Sequence, residues 1–286
     1  MMEAHWVSRL GDFAYSVLEM RQLDLFSQTS GSAERCPSDE VAQPVIAVEA
    51  IEDDDLLAGL PHSGISDSVA LAPEAGRRRL TAAIPALEAL CRRFSGFGAD
   101  RIVPEQAAAI DALAEIAGSG AAQALARLIG RRTVQGPCLR RAVGAAARLG
   151  AKLPAGTVME LLRHDDPTIR ADACRFAQPS PEMVAQLREL LDDVQRPVRM
   201  AAAGALGLMG RNEVRPLLTR YLREAPSAQI IDAIVPVADE ECIVLLGRVA
   251  RTMPDLSAAA LDALDAIDHP RALRILTEIG VPSSNG

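Results

Sequence analysis

Beyond Pro73 the apolar positions of this chain fall into a repeating pattern. Prolines stand at Pro104, Pro137, Pro167, Pro197, Pro226 and Pro254, spaced by 33, 30, 30, 29 and 28 residues. Each is placed where a helix can begin, because the first helical turn has no use for the amide donor that proline lacks. Behind each comes a run of small and aliphatic residues, at 109–113, 142–146, 171–174, 201–206, 230–234 and 259–264. A second helix closes each unit, as at 121–129 and 216–222. Paired helices at such a period predict an all-α chain, a stacked solenoid of about six helix pairs. The segment 77–95, ending in the break Ser95-Gly96-Phe97-Gly98, reads as a capping helix at the start of the stack. Far upstream, Trp6, Leu10, Phe13, Ala14, Val17 and Leu18 have helical spacing and predict an N-terminal amphipathic helix.

The unit that starts Arg196-Pro197-Val198-Arg199-Met200 and continues through Ala201-Ala202-Ala203-Gly204-Ala205-Leu206 resembles the short bacterial HEAT repeat. Ile169-Arg170 repeats Val198-Arg199 one unit earlier, while Leu139-Arg140 is shifted and the last two units lack the arginine. The resemblance implies a right-handed solenoid with a ladder of Asp and Arg along it. It points to Asp165 or Asp166 with Arg170, and to Asp192 or Asp193 with Arg199. The chain then divides into an N-terminal helix over residues 1–26, a disordered acidic linker over 27–73 and a solenoid over 74–286.

The linker assignment rests on composition. Residues 27–73 are rich in Ser, Asp, Glu, Ala and Pro, have no aromatic residue and include the run Glu52-Asp53-Asp54-Asp55. Such a stretch buries too little apolar surface to offset its ordering entropy. Just before it stands Gln22-Leu23-Asp24-Leu25-Phe26. This segment resembles the peptide by which bacterial DNA polymerases, repair proteins and replication regulators dock on the sliding clamp. In that family the glutamine hydrogen-bonds at one subsite and the terminal Leu-Phe pair fills an apolar pocket, a few anchors carrying the affinity. The alternative is that Leu23, Leu25 and Phe26 end the preceding helix and pack locally.

With 49% apolar but only 3% aromatic residues, the core must be many close seams of Ala, Leu, Ile and Val. No run is long and uncharged enough to span a membrane, and no secretory start is visible, so a cytoplasmic protein is expected. Cys36, Cys91, Cys138, Cys174 and Cys242 are scattered, as are His5, His62, His164 and His269. Neither a disulfide framework nor a metal site is implied. Cys174 stands where neighbouring units have alanine and reads as a small core residue. His164-Asp165-Asp166 reads as an inter-unit turn with a capping Asp.

Charge divides unevenly. Residues 1–76 carry a net −11, residues 77–152 a net +8 and residues 153–286 a net −5. Between Glu115 and Glu160 there is no acid, yet Arg127, Arg131, Arg132, Arg140, Arg141, Arg148 and Lys152 lie there. Stacked helices would gather these into a basic patch. Three readings stand: contact with nucleic-acid phosphates, self-association with the acidic residues 39–55, or a solvated surface.

Enzyme readings find little. The HEAT-like solenoids that excise alkylated bases need aromatic groups to hold an exposed nucleoside, and here Trp6 lies outside the solenoid and Tyr221 is its only tyrosine. Short HEAT repeats also occur in bilin lyases, but the Cys and His clusters that could handle a tetrapyrrole are missing. No phosphate loop or nucleophile–base pair stands out. The expectation is a non-enzymatic scaffold or adaptor with protein partners, the sliding clamp among them, and no cofactor or small-molecule substrate. Its alternative is a general protein-binding solenoid whose N-terminal segment only packs.

Overall fold

A computed structural model describes residues 48–280. Within them all regular structure is helical. The α-helices, in chain order, are α1 (Asp53–Gly59), α2 (Ile65–Arg77), α3 (Ile84–Arg93), α4 (Pro104–Ile116), α5 (Gly118–Gly130), α6 (Gly136–Arg148), α7 (Ala155–Leu162) and α8 (Pro167–Ala173). They continue as α9 (Pro181–Glu189), α10 (Arg196–Leu208), α11 (Arg215–Glu224), α12 (Ala228–Ile234), α13 (Glu240–Thr252), α14 (Pro254–Ala266) and α15 (Pro270–Ile279).

From α2 onward the helices form pairs. The first helices lie against one another in order, α2 on α4, then α6, α8, α10, α12 and α14. The second helices, α3 through α15 in odd steps, form the other layer. Six pairs are those the proline period predicts. The seventh, α2 with α3, replaces the single capping helix expected at 77–95. Residues 48–73 were assigned to a disordered linker, yet they hold α1 and most of α2. Leu56, Leu60 and Ala72 have no exposed surface, and the short turn Leu60–His62 packs on α3. Arg78 fixes this end further: it donates to Asp53 Oδ1 at 2.7 Å and to the Ile51 carbonyl at 2.7 Å.

The core is one continuous cluster from Leu56 to Leu276. Val198 and Leu206 are fully buried in it, and Cys174 is buried as expected. Small residues set how closely the first helices approach. A Cβ on Gly207 would stand 2.4 Å from the Ala233 carbonyl oxygen, and one on Gly76 would stand 2.8 Å from Ala112 Cα. These approaches are to backbone atoms, so at both positions only glycine, which has no Cβ, fits without a shift.

Candidate functional site

The polar chemistry of this stack is carried by arginines that reach from one repeat to the next. At the turn before α8, Asp166 Oδ1 accepts from Thr168 N at 2.8 Å and caps the helix. His164 Nδ1 accepts from Asp166 N at 3.0 Å, so this stretch is the expected inter-unit turn. The ladder pairing differs from expectation. Arg170 donates to the carbonyls of His164 and Asp165 at 2.7 and 2.8 Å, and its other nitrogens reach forward to Asp193 at 2.9 and 3.1 Å. Arg199 likewise holds the carbonyls of Asp193 and Val194 at 2.7 and 2.9 Å. Each arginine therefore straps its own turn through backbone oxygens, and Arg170 takes the carboxylate of the following unit. Burial works to raise the Asp193 carboxyl, but Arg170 and the Gln195 amide outweigh it and hold the group below its ordinary value.

On the second-helix layer every successive pair is bridged. Arg127 meets Glu88 at 2.7 Å, Arg132 meets Glu160 at 2.8 Å, and Arg163 donates to Gln186 Oε1 at 2.6 Å. Arg188 pairs with Glu213 at 2.6 Å, Arg223 with Glu241, and Arg251 with Glu278 at 2.9 Å. The Arg127 hydrogen bond holds the buried Glu88 below the usual carboxylate range although burial opposes it.

This ladder disperses the expected basic patch. Arg127, Arg131 and Arg132 lie at the end of α5, Arg140 and Arg141 in the first turns of α6, and Arg148 and Lys152 around the far end of α6. Four of the seven are already in ion pairs, because Arg140 meets Asp166 at 3.4 Å and Arg141 meets Asp111 at 2.6 Å. The linear sequence shows no acid nearby since the partners stand one repeat away. Arg131, Arg148 and Lys152 have no ion pair among the described residues. The acidic segment reaches Arg78 through Asp53, while the rest of residues 39–47 lies outside the described residues. So do Gln22, Leu23, Asp24, Leu25 and Phe26.

Sequence reasoning passed over Gln106. Its buried amide nitrogen donates to the carbonyls of Cys91 and Phe94 at 3.0 and 3.1 Å and so ties the end of α3 to α4. The signal was there, a lone glutamine in an alanine-rich first helix. The described cysteines are buried, and burial pushes the Cys91 and Cys174 thiols up to about 12, which keeps them from being nucleophilic thiolates.

Residues 157–236 match a family model described as HEAT repeats. Over those residues the chain is similar to HEAT repeats. Among solved structures, this helical stack is similar to a chain of the complex of CpcE and CpcF of phycocyanin lyase from Nostoc sp. PCC7120. The likeness has a TM-score of 0.53 at 17% identity and covers 86% of this chain and 98% of that one. At that identity it speaks for the fold alone. No curated protein matches the chain. No described helix is long and apolar enough to cross a membrane.

Proposed function

We propose that the protein is a non-enzymatic adaptor whose HEAT solenoid holds protein partners and whose segment Gln22 to Phe26 recruits it to the bacterial sliding clamp in DNA replication, repair or mobile-element maintenance. The observation that carries the scaffold half is the use of the polar side chains. The arginine ladder, the helix caps and the buried thiols are spent within the stack, and no cluster of three His, Cys, Asp or Glu forms among the described residues. The clamp half rests on the match of the pentapeptide to the docking motif. A base-excising role is disfavoured because Tyr221 is 2% exposed and cannot stack on a nucleoside.

The test is calorimetry of a synthetic peptide covering residues 21–28 against purified clamp. Binding at about micromolar strength, lost on Phe26→Ala, is expected when two or three anchors fill one pocket. A wild-type peptide silent at high micromolar concentration removes the clamp from the reading. The solenoid then remains as a general protein-binding surface, which the exposed side chains of Phe97, Val194 and Leu208 independently favour.

A further inference from the structure

The turn between α3 and α4 carries the most exposed aromatic ring of the described residues. Phe97 is 65% exposed and Ile102 beside it in the turn is 48% exposed. The turn is built rather than loose. Phe97 N donates to the Phe94 carbonyl at 3.1 Å. Gly98 has φ +88°, and a Cβ there would stand 2.8 Å from Val103 Cγ2. At Gly136, where α6 starts, a Cβ would stand 2.1 Å from the Ala99 carbonyl oxygen, so the turn is pressed onto the next unit. A backbone fixed on both sides presents its apolar side chains in one place, which lowers the entropic cost of binding. Phe94, Phe97, Ile102 and Val103 line a concavity of about 430 Å³ there, with Arg101 among them.

The surroundings are positive. Residues 88–104 and 127–135 hold six arginines against two acids. One of those acids, Glu88, is shared by Arg92 and Arg127. Arg101 and Arg131 are exposed and have no ion pair among the described residues. An apolar hollow whose lining holds Arg101 beside Asp100, in a stretch where arginines outnumber acids, complements a segment that alternates acidic and bulky apolar residues.

We propose that this turn docks an acidic, extended peptide of a partner protein, with a bulky apolar side chain set against Phe97 and Ile102 and carboxylates meeting Arg101 and Arg131. The proposal rests on the adaptor reading of the solenoid but not on the clamp segment. A single-stranded nucleic acid fits less well. It needs a row of stacking rings and a continuous cationic track, whereas one ring is exposed here and Arg127, Arg132, Arg140 and Arg141 are paired.

The experiment is fluorescence anisotropy of the full chain with a short labelled peptide that alternates Asp and Glu with Phe and Leu. A control peptide has serine at the apolar positions, and a labelled oligothymidine is the third probe. Binding of the acidic-apolar peptide should weaken at least about tenfold in Phe97→Ser/Ile102→Ser and in Arg101→Glu/Arg131→Glu, and should fall with added salt. Arg248→Glu/Arg274→Glu, an equal charge change on α13 and α15, should leave it unaltered. Unchanged melting curves are expected for the Phe97→Ser/Ile102→Ser protein, since both side chains face solvent. No binding by wild type up to about 100 μM, equal binding by the variants, or tighter binding of oligothymidine than of the peptide overturns the proposal. Leu25→Ala/Phe26→Ala, which addresses the clamp segment, should leave this binding untouched, so the two readings fail separately.

Discussion

Asp193 shows how one side chain joins two repeats. Its carboxylate receives Arg170 from the unit before, and its backbone oxygen receives Arg199 of its own unit. Both members of the Arg170–Asp193 pair are largely covered, at 16% and 8% side-chain exposure. Removing one partner of a covered pair leaves the other charge buried and is costly, so Asp193→Ala should lower stability by about 3 kcal/mol in chemical denaturation. The same pair predicts a pH dependence. The folded carboxyl sits below its ordinary value of 3.8, so the stabilisation is present above that value and is lost as pH falls through it toward the folded value. Melting of the wild type should therefore drop more steeply than that of Asp193→Asn below about pH 4. A parallel decline would show that Asp193 does not carry this linkage. The residue types of the ladder were legible in Ile169-Arg170 and Val198-Arg199. Their partners were not, because a side chain's reach to the next repeat crosses 23 residues of sequence.

At the scale of helices, proline placed most boundaries. Pro104, Pro167 and Pro254 open α4, α8 and α14, and Pro181 and Pro270 open second helices in the same way. Pro226 instead precedes Ser227, whose hydroxyl caps α12 by accepting from Ile230 N. The pair α2 and α3 escaped notice for physical reasons. Pro73 lies inside α2, the helix starts after Gly64 in a stretch rich in Ser and Gly, and the long turn before α4 breaks the period. Leu56, Leu57 and Leu60 were the available signal, leucines one helical turn apart directly behind the acidic run 52–55. Because repeats touch only their neighbours, damage to one should spread locally. Leu206→Asp places a carboxylate without a partner in the α10 seam and should cost several kcal/mol. Hydrogen exchange should report loss of protection in α10 and its neighbouring pairs, with α2 to α5 retained. An unchanged melting curve would contradict the register in which Leu206 faces inward.

Among the described residues, most arginines that bridge repeats are spent in ion pairs. The net −8 and the internal pairing of Arg127, Arg132, Arg140 and Arg141 leave a weak polyanion surface. Intact protein and a variant lacking residues 39–55 should bind a labelled DNA duplex equally weakly at low salt. A tenfold gain on deletion would instead support masking of the basic residues by the acidic arm. The adaptor account stands most directly on the behaviour of the intact chain with purified clamp in size-exclusion chromatography. The account predicts that wild type co-elutes with the clamp and that Leu25→Ala/Phe26→Ala, with an unaltered helical spectrum, elutes apart from it. Separate elution of the wild type, or equal co-elution of both proteins, would contradict it.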